Sequence, residues 1–216
     1  MKALNAYNGL LLCLALVFFS SQSHGQLRSG KLGIGAGGSM YLFNSNIDDG
    51  RYKFGGGMNV TYSVMEHLGV RLMLGSGQLG WKDAAGFSYT TDLMSANGYL
   101  SLDIIPHGSF NPFIFAGVGG IYFDPHSDDG VYNTGFDKID INYLVGAGFD
   151  IFFNEFVSVT VSGEAAFSNT DKLDFPKSVG KNEMYSRVNL ELKYYFFDQN
   201  YITKLIEALQ DRYKKK

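Results

Sequence analysis

The sequence predicts an all-β fold: an eight-stranded antiparallel up-and-down transmembrane β-barrel with a short C-terminal amphipathic helix. Three observations predict it. Runs of about a dozen residues alternate apolar and polar side chains from Leu32 to Phe197, the period of a strand with two different faces. The gaps between runs alternate in length. Met65-Glu66-His67, Pro106–Asn111 and Phe153-Asn154-Glu155 are tight, whereas Asn44–Gly50, Lys82–Phe87, Asp124–Lys138 and Ser168–Asn182 are long and polar. Tight turns then lie at one end and long loops at the other, as in barrels with short periplasmic turns and longer outer loops. Finally, aromatic residues gather at both ends. Tyr41, Phe43, Tyr52, Phe54, Trp81, Tyr89, Tyr122 and Phe123 fall near the long loops, and Phe110, Phe113, Phe152, Phe153, Phe156, Tyr194 and Phe196 near the turns. Two such girdles are what two membrane interfaces select, and a soluble barrel needs none.

Residues 1–25 read as a cleaved signal peptide. Lys2 gives a small positive start, and Leu10 to Phe19 form an apolar stretch too short to span a bilayer as a helix. Ser23-His24-Gly25 then offers small residues for cleavage before Gln26. Cys13 is the only cysteine and lies inside that stretch, so the mature chain has no thiol chemistry. Leu10-Leu11-Leu12 before it lacks the small residues of a lipidation site. The barrel domain is expected over 26–197 and the helical tail over 198–216. A mean hydropathy of −0.05 fits strands that average a lipid face with a lumen face. So does the composition of 27 Gly, 18 Phe and 14 Tyr against 4 Pro. The net charge of −3 and the absence of a basic groove exclude a nucleic-acid partner.

The faces can be read strand by strand. In the second, Tyr52, Phe54, Gly56, Met58, Val60, Tyr62 and Val64 share the lipid face, opposite Lys53, Gly55, Gly57, Asn59, Thr61 and Ser63. In the sixth, Ile139, Ile141, Tyr143, Val145, Ala147, Phe149 and Ile151 alternate with Asp140, Asn142, Leu144, Gly146, Gly148 and Asp150. In the seventh, Val157, Val159, Val161, Ala165 and Phe167 alternate with Ser158, Thr160, Ser162, Glu164 and Ser168. In the eighth, Met184, Val188, Leu190, Leu192, Tyr194 and Phe196 alternate with Tyr185, Arg187, Asn189, Glu191, Lys193 and Tyr195. The fifth, Phe113–Phe123, is apolar on both faces, so the alternation leaves it unoriented. Glycine recurs on the inward face, where small residues leave room for long charged ones in an interior just wide enough for side chains.

With these features the chain resembles the small outer-membrane barrels of the OmpA/OmpX type, including the Bacteroidota-like outer-membrane β-barrel domain, over about Leu32 to Phe197. The stretch Asn111-Pro112-Phe113-Ile114-Phe115-Ala116-Gly117-Val118-Gly119 and the last strand's Tyr194-Tyr195-Phe196-Phe197 carry the resemblance. It implies residence in the outer membrane of a Gram-negative cell, among outer-membrane lipid and lipopolysaccharide. It also implies an aromatic end to the last strand as an assembly signal, placed internally here.

Several residues are candidate sites. Lys53, Arg71, Asp103, Glu164, Arg187, Glu191 and Lys193, with Asp140 and Asp150, point inward in this register and should pair, because an unpaired charge in a narrow interior is costly. Antiparallel closure between Ser168 and Glu183 sets Glu164 opposite Arg187. The expected role is a salt-bridged plug; a gated pore or proton path is the alternative. Asp48, Asp49, Asp128 and Asp129 lie in outer loops as Asp-Asp-Gly turn signals, and carboxylates of this kind also suit Ca²⁺ shared with lipopolysaccharide phosphates. No dedicated metal or cofactor motif is present: Gly33-Ile34-Gly35-Ala36-Gly37-Gly38 matches a dinucleotide loop in form but runs on as a strand. His126 in the outer segment Asp124-Pro125-His126-Ser127 is the centre of an alternative reading as a lipid A deacylase-like or omptin-like rim enzyme. Ile202, Leu205, Ile206 and Leu209 form the apolar stripe of the tail, which ends in Lys214-Lys215-Lys216. That stripe suits a periplasmic protein or inner-leaflet lipid, and opens a further alternative as an accessory of a secretion or assembly machine. The leading expectation is a non-enzymatic barrel with a structural or surface-interaction role through four outer loops.

Overall fold

The structure, a computed structural model, describes residues 30–44, 49–82, 87–106, 108–127, 138–169, 173 and 183–198. Eight strands follow one another: β1 (Lys31–Asn44), β2 (Asp49–Ser63), β3 (Leu68–Lys82), β4 (Ser88–Asp103), β5 (Phe110–Ser127), β6 (Ile139–Phe152), β7 (Val157–Ser168) and β8 (Glu183–Asp198). Each pairs antiparallel with its neighbours, and β1 pairs with β8, so the sheet closes into a barrel without an open edge. The signal segment and the tail's apolar stripe lie outside the described residues, as do Asp48, Asp128 and Asp129 and the side chain of Asp49.

The alternation expected for the sixth, seventh and eighth strands is the one observed, and in the second it holds from Gly56 onward. Outward side chains such as Met58, Tyr143, Leu190 and Leu192 are exposed, whereas Asn59, Asn142, Thr160 and Asn189 are buried. The outer wall of this closed barrel is thus apolar, the inverse of a soluble barrel's polar outer surface. β5, which the sequence left unoriented, points Phe113, Phe115, Ile121 and Phe123 inward and Ile114, Val118 and Tyr122 outward. Its two prolines sit where no ladder bond is lost. The Pro112 carbonyl accepts from Ile104 just past the end of β4, so its nitrogen also points beyond that strand. Pro125 lies beyond the last β5–β6 pair, Tyr122↔Ile139.

Two expectations need correction. The first two outer connections are short: strand pairing continues to Lys82↔Ser88 and Asp49↔Lys82, leaving only residues 45–48 and 83–87 between strands. The length asymmetry between the two ends is carried by 128–138 and 169–182. The girdles are also thinner than read. Tyr52, Phe54, Tyr122, Phe153, Phe156, Tyr194 and Phe196 do face outward, but Tyr41, Phe43, Trp81, Phe113 and Phe123 are buried inside the barrel. Closeness to a strand end fixes height in the membrane; it does not fix the face.

Candidate functional site

The lumen contains two layers. The outer layer is apolar. Tyr41, Phe43, Leu79, Trp81, Leu93, Ile121, Phe123, Leu144 and Tyr185 form one buried cluster with Leu173, a residue of the β7–β8 connection that is 0% exposed. Trp81 stacks on Tyr89 at 5.4 Å and tilts against Phe43 at 5.5 Å. Leu173 is held by two hydrogen bonds: its amide donates to Glu183 Oε2 at 2.7 Å, and Thr91 Oγ1 donates to its carbonyl at 2.9 Å. Glycines on the facing strands make room for the rings. A methyl added at Gly77 would come within 2.3 Å of Tyr41 Cε2, and one at Gly148 within 2.7 Å of Phe113 Cζ.

The second layer is charged. Glu164 and Arg187 are directly opposite across β7–β8, and Arg187 Nη2 lies 2.6 Å from Glu164 Oε1. Tyr99 on β4 completes the unit, with its hydroxyl accepting from Arg187 Nη2 at 2.9 Å and donating to Glu164 Oε2 at 3.1 Å. Arg187 also donates to Tyr41 at 3.4 Å, which ties this layer to the apolar one. Toward the periplasmic end, Lys193 Nζ lies 3.4 Å from Asp150 Oδ1 and 3.9 Å from Glu191 Oε2. Asp150 also receives Arg71 at 3.5 Å and the Thr160 hydroxyl, and Asn59 donates to Glu191 at 2.8 Å. Arg71 lies over the Phe113 ring at 3.8 Å. A cavity of about 20 Å³ remains between the two ion clusters, lined in part by Asn59, Arg71, Glu164 and Glu191. That is room for about one water molecule, with polar partners to hold it.

The structure therefore brings together Arg71, Glu164, Arg187, Glu191 and Lys193, and adds Asp150. Three residues expected with them lie apart. Lys53 sits at the outer rim with its stem across Gly80, and its Nζ donates to Thr90 Oγ1 at 3.2 Å. The cause is a register shift between Arg51 and Gly56, which breaks the simple alternation of β2. Asp103 is buried at the periplasmic end, where its amide donates to the His67 carbonyl at 2.8 Å and its carbonyl meets His67 Nδ1 at 2.7 Å. Asp140 lies at the outer end of β6, where Ser168 Oγ donates to it at 3.4 Å. The sequence reading missed Tyr99, whose partners are 65 and 88 positions away; strict alternation along β4 from buried Asn97 and Ser101 is the signal that finds it. His126 at the outer rim meets Asp92 Oδ2 at 3.9 Å and the Asp124 carbonyl at 3.3 Å.

The family model described as the outer membrane protein beta-barrel domain matches residues 10–197, essentially the whole of this closed barrel. The chain belongs to that family. This outer-membrane barrel is similar in fold to OprG of Pseudomonas aeruginosa, at 16% identity and TM-score 0.54 over 82% of this chain and 99% of that one. Neisserial surface protein A is similar at 13% identity and TM-score 0.54, over 76% and 97%. Ail, the attachment invasion locus protein of Yersinia pestis, whose structure is known in complex with the heparin analogue sucrose octasulfate, is similar at 15% identity and TM-score 0.52, over 78% and 99%. No curated protein matches the chain in sequence. Family and fold together place the protein in the cell outer membrane.

Proposed function

We propose that this outer-membrane barrel is a closed, non-enzymatic anchor that works through its outer loops, above all residues 128–138 and 169–182. The observation that carries this reading is the filled lumen: an apolar layer closed by Leu173 lies above a matched set of Arg71, Arg187 and Lys193 against Asp150, Glu164 and Glu191. An eight-stranded interior is only just wide enough for side chains, and here side chains occupy it. Among the described residues His126 meets the Asp92 carboxylate and the Asp124 carbonyl, contacts that suit a polar residue of the rim.

The test has two arms. Protein reconstituted in planar bilayers should show no steady conductance, and large stable openings would overturn the closed reading. A strain lacking the gene should regain its surface phenotype, read as cell aggregation and detergent sensitivity, from the full chain. It should not regain it from a barrel in which 128–138 and 169–182 are replaced by Gly-Ser linkers. Full rescue by the linker barrel would move the function into the wall or lumen.

A further inference from the structure

We infer that the tail, residues 199–216, folds back over the periplasmic mouth of the barrel and caps it. The mouth is dry where strand ends would leave it wet. Lys31 is the first residue of β1 and Asp103 the last of β4, yet each is 7% exposed. Asn111 and Ser158, each the second residue of its strand, are 0% exposed. The Asn111 amide and the Ser158 hydroxyl are buried without a hydrogen-bond partner among the described residues. Inward polar groups this close to the ends of their strands stay out of water when a cover lies across the mouth. The Phe152 and Tyr195 rings, 5.5 Å apart on the β6 and β8 side of the mouth, give such a cover an apolar platform.

The place where the chain leaves the barrel selects the occupant. Asp198 pairs with Lys31 at the periplasmic end of β1 and β8, so residues 199–216 start at the mouth itself. Ile202, Leu205, Ile206 and Leu209 recur at helical spacing as one apolar stripe. Wound as a helix, that stripe is about 10 Å long. The opening is of the same order: roughly 15 Å between opposite backbones of an eight-stranded barrel, less the side chains within. The stripe faces Phe152 and Tyr195, and the polar side of the tail faces the periplasm.

Charge favours the same placement. Among the described residues of the turns and strand ends on this side, Glu66, Asp103 and Glu155 are set against one lysine, Lys31. The tail has the opposite balance, with Lys204, Arg212, Lys214, Lys215 and Lys216 against Glu207 and Asp211. A tail resting on the inner leaflet would bury its stripe equally well, but it would leave Asn111 and Ser158 open to water. The outer apolar layer blocks passage by itself, so a closed lumen does not depend on this cap.

The experiment uses the full mature chain folded in lipid vesicles or detergent. Cys13 lies in the signal segment, so Ser158→Cys supplies the single thiol of the mature chain. Its reaction with a small water-soluble maleimide should be slow in the full chain. Deleting Tyr201–Lys216, or combining Leu205→Ser with Leu209→Ser, should speed it roughly tenfold or more, because the cover is then lost or opens readily. An unchanged rate in a heat-modifiable, folded truncated barrel overturns the proposal and moves the tail to the leaflet or the periplasm. Asn111→Cys repeats the test should Ser158→Cys not fold. The wild type supplies an arm that needs no substitution: trypsin should cut after Lys204 roughly tenfold more slowly in the folded barrel than in a free peptide of residues 199–216. Equal cleavage of the two overturns the proposal as well.

Discussion

The two layers of the lumen occupy the same kind of position, inward side chains of the same eight strands, and are built on opposite principles. The outer layer, around Trp81, Phe43 and Leu173, is held by non-directional apolar contact. The inner layer, around Glu164, Arg187 and Lys193, is held by charge pairs with fixed geometry. Dispersion and apolar burial tolerate a change of shape if volume is kept, and the loss is gradual. A buried charge tolerates no loss of its partner, because the penalty of having left water remains. The outer layer therefore seals and the inner layer fixes register, and substitutions should separate the two roles.

The largest effect is expected in the inner layer. Arg187→Ala or Glu164→Ala leaves one buried charge without its partner and should cost roughly 3–5 kcal/mol. The double variant should lose less than the sum. Urea titrations of the barrel folded into lipid vesicles measure this, and strictly additive losses would mean that the pair seen at 2.6 Å is not energetically coupled.

Next comes the fit between glycine and ring. A methyl at Gly77 would meet Tyr41 at 2.3 Å, whereas one at Gly120 meets nothing within 4 Å. Gly77→Ala should cost about 1–3 kcal/mol by overpacking. Gly120→Ala should stay within about 0.5 kcal/mol of wild type. Equal effects would show that the outer layer can repack freely.

Trp81→Phe sharpens the contrast from the apolar side. The indole nitrogen of Trp81 is buried without a hydrogen-bond partner among the described residues, so removing it relieves a polar penalty while the smaller ring loses some contact. The net change should be under about 1.5 kcal/mol in the same titration, well below that of Arg187→Ala. A loss as large as that of Arg187→Ala would mean that the apolar layer is as geometrically exacting as the charged one.

The smallest effect is expected outside both layers, at Lys138 just before β6. The hydrogen bond to Asp124 raises its pKa above the ordinary lysine value of 10.5. A cation whose folded pKa is raised adds stability that is fully present below the unfolded value and disappears as pH rises through the folded one. Lys138→Met should therefore differ from wild type by a small, constant amount near neutral pH and match it in strong alkali, with salt shrinking the difference. A difference that grew with pH would reverse the sign of this pairing.

Much of the fold was legible in the chain because a strand's side-chain period is fixed by the backbone. Alternation along β6, β7, β8 and the part of β2 from Gly56 onward is enough to assign lipid face and lumen face, and antiparallel closure around Ser168–Glu183 is enough to set Glu164 against Arg187. Where alternation fails, the sequence alone is silent. β5 is apolar on both faces and took its orientation from the glycines opposite, Gly146 and Gly148, which accept Phe115 and Phe113. The register shift in β2 carried Lys53 out of the lumen set and onto Gly80, and no local pattern announces it. Tyr41, Phe43, Trp81 and Phe123 show the same limit: sequence gives their height along the barrel, and only closure of the sheet decides that they fill the mouth of the lumen while Tyr52 and Phe54 meet lipid. Height depends on position within one strand. Which partners fill the interior depends on eight strands meeting at once, and that is a property of the closed barrel.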